Sequence, residues 1–229
     1  MATTDPLAPF QWLNASESQA DPLGVIFSVG FFRNLDPSEV VRRFSNGDDS
    51  GQESDFEELN DRMVEFLGKT VGADGGGHVG VFRAGAWSVA IEPDGWSMTD
   101  HKTLGELSRD CEVLAITHHE YAEDSLAYAI DGTIVTGYKP LDCPHLRHGS
   151  EPDRLNGFMR ELGMPLDMRD DEHDCDDEYE SDWEDDTDYL SAVPRAFALA
   201  AKVTGVSFTA DMLDQPLLIG PIAYRYTTA

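Results

Sequence analysis

Positive charge is scarce in this chain. Lys69, Lys102, Lys139 and Lys202 are its only lysines, and 16 basic residues face 44 acidic ones. The formal net charge is −28 over 229 residues. Such a field repels the phosphates of DNA and RNA and the headgroups of anionic membranes. Direct nucleic-acid and membrane binding are therefore not expected. Cysteine is sparse too. Cys111, Cys143 and Cys175 are an odd number without repeated spacing. That implies no disulfide framework, and a reducing cytoplasm is the default setting. No apolar run approaches the roughly 18 residues that span a bilayer. The opening MATTDPLAPFQWLN has neither the basic start nor the apolar stretch of a secretory leader. No Gly-x-Ser-x-Gly elbow or Rossmann fingerprint occurs, and GADGGG lacks the Gly-Lys-Ser/Thr of a phosphate loop. The reading leans away from an enzyme, and no cofactor is expected.

What is present is enough sequence for a real core. A chain of 229 residues buries apolar surface without needing metal or disulfide staples. The acid is concentrated in RDDEHDCDDEYESDWEDDTD, Arg169 to Asp188. Fourteen acids and one base between Asp167 and Asp188 hold −13 of the charge, leaving −15 on the rest. Composition thus divides the chain into a Pro- and Ala-rich extension (1–22), a body (23–166), an acidic insertion (167–188) and a C-terminal helical segment (189–229) that completes the same domain.

Element signals point to an α+β fold. LGVIFSVGFF is continuously apolar, a length and pattern that suit a buried strand or a buried helix. LDPSEVVRRFS reads as a helix with Asp36 as N-cap, Pro37 in the first turn and Glu39 in a capping box. Phe56, Leu59, Met63, Phe66 and Leu67 recur at the spacing of one helical face. HVGVFR and AWSVAIE read as a hairpin about Ala84-Gly85, and CEVLAITH as a further strand. SLAYAI and TIVTGY flank Asp131-Gly132, a strong hairpin signal. EPDRLNGFMREL is a helix with Leu155, Phe158, Met159 and Leu162 inward. YLSAVPRAFALAAKVTG is another, beginning near Ser191 with Pro194 in its first turn. FTADMLDQP adds a short helix capped by Thr209. The expectation is a mainly antiparallel meander of about five strands, with helices before and after it packed on one face.

The segments GAWSVAIEPDGW, LGELSRDCEVLAI, LAYAIDGTIVTGYKP, GSEPDRL and ALAAKVTGVSFTADMLDQPLLIGPI occur in that order. This arrangement resembles an uncharacterised actinobacterial domain family, over roughly residues 25–165 and 190–222. The family pattern reads Glu-Pro-Asn-Gly-Trp where this chain has Glu92-Pro93-Asp94-Gly95-Trp96. Both Asn and Asp suit a turn before Gly. The resemblance implies one continuous intracellular domain and carries over no activity. The acidic run lies outside what it covers.

Three places carry candidate chemistry. In the acidic run, Asp170, Asp171, Glu172, Asp174, Asp176, Asp177, Glu178, Asp182, Glu184 and Asp185 would face a basic partner. Tyr179 and Trp183 would act as aromatic anchors there. The bland alternative is a solvated, disordered insertion. A weak calcium or magnesium site is a third reading, on alternating Asp170, Glu172, Asp174, Asp176 and Glu178, although the central Gly of an EF-hand loop is missing. The second place is CPHLRH. Cys143, His145 and His148, with His173 and Cys175, are zinc-type ligands at a spacing that matches no standard module, so no metal site is assigned. Adjacent His118 and His119 would point to opposite faces of a strand. The third is Glu92, Asp94 and Trp96, where two carboxylates and an indole would line a pocket if they converge.

The leading reading is a non-enzymatic acidic protein that binds a basic protein, as an inhibitor, immunity protein or regulator. An enzyme or small-molecule binder at Glu92, Asp94 and Trp96 is the second, and a divalent-cation binder the third.

Overall fold

A computed structural model describes residues 5–14, 22–47, 51–70, 76–120, 124–140, 146–164, 166 and 187–223, with side chains from 191 onward in the last stretch. After a 3-10 turn at Ala8–Asn14 come β1 (Ile26–Arg33), α1 (Pro37–Phe44), β2 (Gln52–Ser54), α2 (Phe56–Thr70), β3 (Gly77–Ala84) and β4 (Trp87–Pro93). A 3-10 turn at Ser97–Thr99 leads to α3 (His101–Leu107), β5 (Glu112–His119), β6 (Ser125–Ile130) and β7 (Thr133–Tyr138). Then follow α4 (Asn156–Glu161), α5 (Thr187–Thr204), a 3-10 turn at Ala210–Asp214, and β8 (Leu217–Ile222).

All eight strands form one antiparallel sheet in the order β2-β8-β3-β4-β1-β5-β6-β7. The α+β class is as expected, but the five-strand meander is not what forms. Only β5, β6 and β7 run as a meander. LGVIFSVGFF supplies β1, which inserts between β4 and β5. The C-terminal LLIGPI, expected among helices, supplies β8 between β2 and β3.

The helices also cover both faces rather than one. On the first face, Phe27, Val29 and Phe31 of β1 pack with Val89 and Ile91, Leu114 and Ile116, under Leu59 of α2 and Phe197 and Leu199 of α5. On the second face, Phe32, Ala90, Val113 and Ala127 pack under Val40, Val41 and Phe44 of α1 and Leu104 and Leu107 of α3. A strand covered twice needs apolar residues at every position, which is why β1 shows no alternation.

Local signals explain most elements. Asp36 stands at the N-cap of α1, yet its side chain makes no cap bond and accepts instead from Arg83 at 3.2 Å. The expected capping box does not form, because Glu39 is taken by Arg42 and Arg43. Asp55 caps α2, accepting from the Glu58 amide at 2.9 Å. Asp131 and Gly132 both take positive φ, +47° and +77°, as a two-residue hairpin requires. Pro194 lies inside α5 rather than in its first turn. The one backbone bond it removes is offset by burial of Ala192 and Val193 just ahead of it. Phe158, expected inward, is partly exposed, while Leu155, Met159 and Leu162 are buried. Phe10 and Leu13 of the first turn are buried in the main core, and Trp12 packs on Phe208 with ring centres 5.7 Å apart. Among the described residues, no helix is long and apolar enough to cross a membrane.

Candidate functional site

On the second face a polar row crosses the middle of the sheet. Glu92 of β4 pairs with Ser28 of β1, Ser28 with Thr117 of β5, and Thr117 with Ser125 of β6. Glu92, Ser28 and Thr117 are all buried. Buried polar groups must find partners, and these find them on the segment that follows β4. The Ser28 hydroxyl donates to the Gly95 carbonyl at 3.0 Å. Each hydroxyl has a single proton, so Thr117 must donate to Ser28 at 2.7 Å, and Thr99 to Thr117 at 2.8 Å. The result is a directed chain from Thr99 to the Gly95 carbonyl that ties β1, β5 and the Gly95–Thr99 segment together.

Glu92 is the charged member of the row. One carboxylate oxygen accepts from the Ser97 amide at 3.1 Å and the Ser97 hydroxyl at 2.9 Å. Burial disfavours its charged form and pushes the carboxyl up to about 7, against the opposing pull of Ser97 and the Met98 amide. A carboxyl poised near neutrality suits proton transfer or pH sensing.

Next to the polar row runs a row of small residues. Ala90, Gly30, Ala115, Ala127 and Gly137 sit side by side on β4, β1, β5, β6 and β7. They leave room above the sheet. Met98 fills it over Gly30, where a Cβ would lie 2.8 Å from the Met98 sulfur. At the β7 end the room remains as a cleft of about 340 Å³, lined by Thr99, His101, Ser125, Leu126, Ala127, Tyr138, Lys139 and His148. His148 is held on Gly137 by two backbone bonds, each 2.9 Å. Its Nε2 is 3.2 Å from Nε2 of His101, with ring centres 5.1 Å apart. Burial, and then the neighbouring His101, lower the His148 pKa and favour its neutral form.

The sequence candidates map onto this frame unevenly. Asp170, Asp171, Glu172, Asp174, Asp176, Asp177, Glu178, Tyr179, Asp182, Trp183, Glu184 and Asp185 lie outside the described residues, as do Cys143, His145, His173 and Cys175. His148 lies in the cleft. His118 and His119 diverge: His118 bonds Asp124 at 2.9 Å, and His119 packs on Trp96 with ring centres 5.6 Å apart. Glu92 points inward, whereas Asp94 and Trp96 are exposed, and none of the three lines the cleft. Asp94 is a turn residue, with φ +48° and its amide donating to Ile26 at 2.8 Å. Among the described residues, no group of three or more metal-type ligands occurs.

Sequence reasoning missed His101, which is 47 positions from His148 and shares no motif with it. It also passed over Ser28 and Thr117. The signal for Ser28 was visible as the lone polar residue inside IFSVGFF, whereas Thr117 stands beside His118 and His119 and carried no such signal.

A family model described as a family of unknown function, DUF6461, matches residues 3–217. The chain belongs to this family. The match begins well ahead of residue 25, where the resemblance in the sequence starts, and so takes in the Ala8–Asn14 turn docked on the core. No curated protein and no solved structure matches the chain.

Proposed function

We propose that the protein is a non-enzymatic acidic interaction protein that binds a basic protein partner, as an inhibitor, immunity protein or regulator. The observation that carries the reading is how the few bases are used. Arg33, Arg42, Arg43, Arg62, Lys69, Arg83, Arg147, Arg154 and Lys202 each lie within 3.2 Å of a carboxylate of the same chain. Bases engaged internally leave the −28 excess to act on whatever approaches. Such a potential steers a cationic partner and speeds encounter. Both faces of the sheet are covered, so a partner meets helices and turns rather than a bare sheet. Within 167–188, the ten partner-binding carboxylates would supply the field, with Tyr179 and Trp183 as anchors.

The test is salt-graded capture of basic proteins by the whole chain and by a chain lacking 170–187. The reading expects one basic protein retained at stoichiometric level, released by moderate salt and held more weakly by the deletion. Capture that ignores both salt and deletion contradicts it.

A second reading, an enzyme or small-molecule binder, is favoured by Glu92, whose buried carboxyl is poised near 7 beside a polar network. A ligand dependent on Glu92 and indifferent to the 170–187 deletion would support it. The divalent-cation reading of the acidic run expects a calcium- or magnesium-dependent change in Trp183 fluorescence.

A further inference from the structure

We propose that His101 and His148 form a two-histidine site for a zinc-class divalent metal ion at the mouth of the cleft beside β7. This stands apart from the binding of a basic partner and does not depend on it.

The geometry is the first argument. With Zn–N bonds of about 2.05 Å, two imidazole nitrogens on a tetrahedral ion stand about 3.3 Å apart. The two Nε2 atoms are 3.2 Å apart. Rings whose lone pairs converge on such an ion have centres about 5.2 Å apart, against about 5.5 Å for a collinear N–H···N bond at the observed 3.2 Å. The observed 5.1 Å sits with the converging arrangement.

The second argument is how the rings are held. His148 is fixed by reciprocal backbone bonds to Gly137, a position where any Cβ would fall 2.9 Å from the imidazole Cε1 and Nε2. His101 opens α3, whose start is fixed by Asp100 accepting from the Thr103 amide at 2.9 Å. Ligands on fixed backbone need little ordering on binding. The cleft between Thr99, Ser125 and the two rings leaves the remaining coordination positions to water or a ligand group. Lys139 also lines the cleft and opposes a cation, whereas the −28 charge of the chain draws cations in. Imidazole selects zinc, cobalt, nickel or copper over calcium and magnesium, which take oxygen ligands.

The experiment uses the full chain in excess magnesium, which occupies the carboxylates of the acidic run. Zinc is titrated by calorimetry, and cobalt(II) by visible absorption, into wild type, His101→Gln and His148→Ala. Both side chains are exposed, and circular dichroism checks that each variant folds. The expected result is one ion per chain, a cobalt spectrum with nitrogen ligation, and at least ~10-fold weaker binding in each variant. Absence of stoichiometric binding over magnesium, or equal binding by wild type and both variants, overturns the site.

Discussion

Replacing Glu92 with Gln isolates a buried carboxyl whose ionisation the fold resists. Glu92 would ionise near 4.5 in the unfolded chain and does so at about 7 in the folded one. Below 4.5 both states hold the proton, and the group sets no pH dependence. Between the two values the unfolded chain releases its proton while the folded chain keeps it, so stability falls as pH rises. Above about 7 both are ionised, and the folded state bears the whole penalty of a buried charge. At 1.36 kcal/mol per unit, that penalty is about 3 kcal/mol. This is a large share of a stability of about 5–15 kcal/mol. Gln keeps the shape, and its amide oxygen can accept both Ser97 bonds, but it never ionises. Near pH 5, Glu92→Gln should therefore be within about 1 kcal/mol of wild type. Near pH 8.5 it should be the more stable of the two by about 2–3 kcal/mol. Urea unfolding across this range, read as the difference between the two chains, cancels the titration of the other carboxylates. A difference that stays flat with pH, or that grows in favour of wild type as pH rises, refutes the burial argument.

Two further substitutions test the core and the polar row. Phe197→Ala removes a buried ring stacked on Phe208, with centres 5.6 Å apart; it should cost about 3–5 kcal/mol in denaturant unfolding, and a loss below 1 kcal/mol would show that α5 is not seated as described. Ser28→Ala leaves the Gly95 carbonyl and the Thr117 hydroxyl proton without their partner; it should cost about 1–3 kcal/mol, with faster amide exchange in the Gly95–Thr99 segment, and unchanged exchange there would break the proposed link.

Local features of the fold were legible because their causes are local. The Asp131-Gly132 hairpin follows from backbone freedom at two positions. The helical face of α2 follows from spacing, with Leu59 and Met63 buried as the pattern requires. The order of the strands was not legible, because it depends on contacts between distant segments. LLIGPI looks like an apolar tail until Leu217 and Ile219 pair with β2, and Leu218 and Ile219 with β3. LGVIFSVGFF could not be assigned by period, since burial on both faces erases alternation. In the candidate site, Glu92 was legible as a strand-end acid, but not its inward orientation. That depends on Ser97 folding back over it. His148 was legible within CPHLRH, but its partner His101 comes from α3, and only the tertiary fold brings the two rings together.

The most direct test of the electrostatic account is the rate at which the chain associates with any basic protein it retains in the salt-graded capture, followed by stopped flow against ionic strength. A field from −28 net charge predicts a rate that falls by ~10-fold or more as the Debye length shrinks from about 30 Å at 0.01 M salt to about 8 Å at 0.15 M. The dissociation rate should change far less. An association rate that stays constant across that range would contradict the claim that negative potential brings the partner in.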